Sequence, residues 1–155
     1  GLGNILMADE GFGCHFVRWL EERYLFPLEV EVVEGGTLGY VLLDVLSRSR
    51  IVIVVDCIKL DDAPGSIYRF THAEFTAKMP PPTTAHEVKF TDVLCKAELL
   101  DELPEMVFLC IVPAEYQDLQ LEMTPAIQAR FPEMERLVLA ELAAIGIVPQ
   151  RCADA

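Results

Sequence analysis

Apolar residues recur every fourth position at Phe12, Phe16, Leu20 and Tyr24, with Val17 and Trp19 beside them. This spacing predicts a helix from about Glu10 to Tyr24 with one apolar face. Leu28 to Val33 alternates as LEVEVV, the period of a strand, and Glu34-Gly35-Gly36-Thr37 is a turn into a second helix whose face is Leu38, Val41, Leu42, Val45 and Leu46. Ile51 to Val55 is an unbroken β-branched run, the mark of a strand buried on both faces of a parallel sheet, and it ends in Asp56. Asp61 to Gly65 reads as a turn and Ser66 to Phe70 as a short edge strand, with His72 at a helix start. The run from Pro80 to Pro82 cannot be helical and delivers His86 to the head of a helix with Phe90, Val93, Leu94, Ala97 and Leu100 on one face. Met106 to Val112 is a second fully apolar strand, stopped by Pro113. Thr124-Pro125 reads as an N-cap with proline at the first helical position, and Pro132 divides the last helical region, which stops at Gly146.

Strands alternating with helices in this way predict a three-layer α/β/α fold around a mostly parallel twisted sheet, as one domain over residues 1–155 with a loose tail from 148 to 155. A chain of 155 residues buries enough surface to stand without staples. Its opening is a strand-to-helix loop, so an apolar strand of about five or six residues is expected ahead of Gly1.

Composition removes several classes of function. A net charge of −13 with only 12 Lys and Arg disfavours nucleic acid, because phosphates need clustered positive charge. No apolar run reaches the roughly 18 residues of a membrane span. The five cysteines are odd in number, widely spaced and set among apolar residues, which fits buried free thiols of a cytoplasmic protein. Gly1 and Gly3 resemble part of a dinucleotide loop, but Leu6 stands where its third glycine belongs and no Walker lysine is present.

The chemistry concentrates in three places. Asp9 and Glu10 head the first helix, where unpaired N–H groups favour negative charge; ordinary capping acids would look the same. Asp56 ends a central strand, where open α/β sheets place their ligands. His86 starts a helix after a stiff loop and can be aimed at a cleft. Two carboxylates and an imidazole suit a borderline divalent ion such as zinc or nickel, with positions left open for water or substrate. A cysteine nucleophile is disfavoured, since Cys14 and Cys57 lie in apolar settings and His15 points to a different helix face from Cys14.

The chain resembles the NiFe-hydrogenase maturation endopeptidases from Gly1 to about Gly146. The likeness is carried by GLGNILMADEGFG at the front, EGGTLG from Glu34, IVIVVDCI from Ile51, HEVKFTDVL from His86, and IVPAEY with the following LEMTP. It implies that Glu10, Asp56 and His86 contact metal, and that the protein removes the C-terminal extension of the hydrogenase large-subunit precursor after nickel insertion. The metal is then nickel carried by the precursor, with no permanently bound cofactor. The scissile bond is opened either by nickel acting as a Lewis acid or by Asp56 or Glu10 acting as general base on water. Glu34 occupies a position that the family ties to substrate selection and departs there from the expected aspartate. The alternative is a non-catalytic nickel-binding accessory protein for hydrogenase assembly.

Overall fold

The computed structural model of the chain describes residues 1–78, 90–116 and 119–153. A 3-10 turn at Ala8–Gly11 leads into α1 (Phe12–Glu21), followed by the short β1 (Tyr24–Leu25). A second 3-10 turn, Gly39–Val41, opens α2 (Leu42–Arg48), and then come β2 (Ile51–Cys57), β3 (Ile67–Thr71) and α3 (His72–Lys78). The chain finishes with α4 (Phe90–Leu99), β4 (Glu105–Ile111), α5 (Pro125–Gln128), α6 (Phe131–Ala144) and β5 (Gln150–Arg151).

The central sheet has the order β2-β4-β3, with β2 parallel to β4 in the register Asp56 to Cys110, and β3 antiparallel to β4. Two of the three described strands run parallel, as expected, and the sheet is mixed because the edge strand runs backwards. Alternation along the strands divides the core into two layers. Val54, Phe70, Met106, Phe108 and Cys110 pack with Leu42 and Leu46 of α2, Phe75 of α3 and Val93, Leu94 and Ala97 of α4. On the other side, Val55, Leu109 and Ile111 pack with Phe12, Phe16 and Leu20 of α1 and with Phe131, Met134, Val138 and Leu142 of α6. This is the three-layer α/β/α arrangement. No helix among the described residues is long and apolar enough to cross a membrane.

Four expectations need correction. LEVEVV forms no ladder with the described strands; its last residue, Val33, accepts from the Gly1 nitrogen at 2.9 Å. Leu38 and Val41 are exposed because the turn before α2 is 3-10, which swings them off the stripe that Leu42 and Leu46 bury. The tail is not loose from 148, since β5 pairs antiparallel with β1 and the Cys152 amide donates to the Arg23 carbonyl at 2.8 Å. Cys95 is exposed on α4, whereas Cys14 and Cys110 are buried.

Candidate active site

Glycine chemistry at the front of the chain brings the acids to the sheet. Gly3 has φ +124°, a conformation open to glycine, and a Cβ there would meet the Glu10 carbonyl. At Gly13 the first turn of α1 rests directly on β2, where any side chain would strike the Val55 carbonyl. The Leu2 amide donates to that same carbonyl at 2.9 Å. Glu10 is thereby held over the carboxyl end of β2, close enough to Asp56 for their charges to act on each other.

Asp56 is half-buried, with the Cys57 amide donating to its Oδ1 at 2.7 Å. Its carboxyl is pushed up from 3.8 to about 7, chiefly by burial. The Cys57 N–H pulls the other way, while the Glu10 charge pushes in the same direction as burial. A carboxyl that changes protonation near neutrality is suited to taking and returning a proton. Among the described residues no three His, Cys, Asp or Glu side chains stand together as a metal cage. Glu10 and Asp56 supply two oxygen donors, and His86 lies outside the described residues.

Glu34 sits in the turn beside Gly35 and is clasped by the Arg18 guanidinium of α1 in a two-pronged ion pair. The neighbouring thiols are poor nucleophiles. Burial pushes Cys14 and Cys110 up and Cys57 well up, and the Cys57 thiol donates to the Asp9 carbonyl at 2.8 Å. His15 is held towards its neutral form, first by burial and then by Arg18.

Asp9 is the residue that the sequence pattern misreads. It caps nothing: α1 has no side-chain cap, and Asp9 is turned inward with 0% of its surface exposed. The Ala114 and Glu115 amides donate to its Oδ2 at 3.0 and 2.8 Å, the Thr124 amide to Oδ1 at 2.7 Å and the Thr124 hydroxyl to Oδ2 at 3.0 Å. Thr124 does occupy the position before α5, but its hydroxyl serves Asp9 instead of the helix. The available signal is that consecutive residues of a helical turn point about 100° apart, so Asp9 and Glu10 cannot both face the same way.

The chain matches the family model described as hydrogenase maturation protease (HycI) over residues 14–141. It is 32% identical to the hydrogenase 2 maturation protease of Escherichia coli (strain K12) over 148 residues, which is 95% of this chain and 90% of that protein. It is 30% identical to the hydrogenase expression/formation protein HupD of Thiocapsa roseopersicina, over 99% of this chain and 71% of that one. Its fold superposes on the hydrogenase maturating endopeptidase HybD from E. coli with a TM-score of 0.90, at 29% identity, covering 100% of this chain and 96% of that one. The chain belongs to the hydrogenase maturation protease family.

Proposed function

We propose that this protein is the endopeptidase that removes the C-terminal extension of a NiFe-hydrogenase large-subunit precursor after nickel has been inserted. Nickel is part of the substrate in this reading, and Glu10, Asp56 and His86 are the side chains that contact it. The observation that carries the proposal is Asp56 itself: a carboxyl at the end of a core strand, beside a second acid, with its proton affinity raised to about 7. The Asp56 carboxylate takes a proton from water as that water adds to the scissile carbonyl, then gives it to the departing amide nitrogen, so one water is consumed for each bond cut. Glu10 is the other carboxylate able to take this part. Carboxylate and imidazole donors suit nickel, which can also polarise the carbonyl. Glu34, at the rim and paired with Arg18, is assigned to substrate selection. Thiols free of disulfides suit a reducing compartment, and we assign the protein to the cytoplasm.

The test is cleavage of nickel-loaded and nickel-free precursor by wild type and Asp56→Ala, with the released peptide weighed by mass spectrometry. Release from the loaded precursor alone, lost in Asp56→Ala by about 10³-fold or more, is the expected result. A folded wild type that binds loaded precursor and releases nothing replaces the protease with a nickel-binding accessory protein.

A further inference from the structure

The chain that leaves β4, described as Ala114–Tyr116 and Leu119–Thr124, forms a wall beside the turn that carries Asp9 and Glu10. It carries little of the core, and its tip is apolar and open, with Leu119 and Leu121 exposed. Its attachment is polar. The Asp9 amide donates to the Glu115 carbonyl at 3.0 Å, the Ala8 amide to the Gln120 carbonyl at 2.6 Å and the Gln120 amide to the Leu6 carbonyl at 3.0 Å. Ala8 takes φ +48°, which costs a side-chain-bearing residue energy and persists only where its surroundings hold it. Tyr116 lies under the Lys59 ammonium, 4.1 Å from the ring centre, on the loop three residues beyond Asp56.

Asp9 gathers this wall from within. Its carboxylate accepts from three amides and one hydroxyl belonging to two separate stretches of that chain, and without it those donors would lose their shared acceptor. We propose that Asp9 is a positioning residue, whose buried carboxylate clamps Ala114–Glu115 to Thr124 and so fixes the wall against which the substrate chain lies beside Glu10 and Asp56. The inference rests on the endopeptidase reading above and adds to it a division of labour between adjacent acids. Glu10 faces the substrate, and Asp9 faces the protein and holds the site's far wall at working distance.

The experiment compares wild type, Asp9→Asn, Thr124→Val and Thr124→Ser, each assayed on nickel-loaded precursor well below its own unfolding temperature. Amide exchange is read at Ala114, Glu115 and Thr124. Asparagine turns an NH₂ group towards donors that need an acceptor, so Asp9→Asn is expected to free those amides and raise KM about tenfold while kcat falls less than about threefold. Thr124→Val, which removes one donor, raises KM about threefold, and Thr124→Ser restores the wild-type value. Unchanged KM in variants whose clamp amides have become free overturns the proposal, as does a serine variant no better than valine. Should Asp9→Asn not fold, the Thr124 pair decides alone. A wild type that cuts nothing overturns the endopeptidase reading and this one with it, whereas a cutting wild type with indifferent variants overturns only the clamp.

Discussion

Strands β2 and β4 have seven residues each, lie side by side in register and carry similar apolar runs, yet they are held very differently. β4 has ladder partners on both edges and a helix layer on each face, and from Phe108 to Ile111 it is fully buried. β2 pairs with β4 on one edge, and on the other its Val55 carbonyl accepts from the Leu2 amide at 2.9 Å. β4 anchors the sheet, while β2 carries the candidate group Asp56 near its end.

The largest separation between them is expected from side-chain deletion. Phe108 is stacked 4.0 Å from Phe75 and buried at the centre of the sheet, so Phe108→Ala should cost about 3–5 kcal/mol in urea unfolding. Cys57→Ala, at the half-buried end of β2, should cost about 1–2 kcal/mol, because it removes a single sulfur and its hydrogen bond to the Asp9 carbonyl. Equal costs would break the contrast.

Next in size is the charge at the end of β2. Asp56 holds its proton up to about pH 7 in the folded chain, against an ordinary 3.8, so between those values the folded state binds more protons than the unfolded state. Stability from this group therefore declines as pH rises from about 4 to 7, and its ionisation is a burden above that window. Asp56→Asn should stabilise the fold by on the order of 2–4 kcal/mol at pH 8, and by almost nothing near pH 4, while abolishing cleavage. A difference that does not change with pH would mean that burial of Asp56 carries no penalty.

Smallest in energy, and the sharpest in position, is hydrogen exchange. The Cys57 amide at the end of β2 donates to the Asp56 side chain, whereas Phe108 and Leu109 lie at the buried centre of β4. The Cys57 amide should exchange about 10–100-fold faster than those two. Equal protection would show that the end of β2 is held as firmly as the centre of β4.

Much of this was legible in the sequence. The four-residue recurrence of Phe12, Phe16 and Leu20 marked α1 and its buried face, and the apolar runs at Ile51 and Met106 marked the two parallel strands, because burial on both faces leaves little room for polar residues. Asp56 was legible for the same reason, as the charge that ends such a run. LEVEVV has the period of a strand but no partner among the described strands, and its long-range backbone contact is from Gly1 to Val33. Asp9 and Thr124 were hidden because their partners lie more than a hundred residues away along the chain, and local pattern offers both residues a satisfactory local duty as caps. The tail misled in a similar way, since pairing of two residues with β1 and one amide bond to Arg23 hold it and leave no trace in composition.

The pairing of β5 with β1 has a mechanical meaning as well. Tyr24–Leu25 follows α1 and Gln150–Arg151 follows α6, so the stretch after α6 is fastened to the far end of the helix that leads out of the Glu10 turn. A pull on the chain beyond α6 therefore meets that short ladder first, and reaches Phe131, Met134 and Val138 in the core only after the ladder has parted.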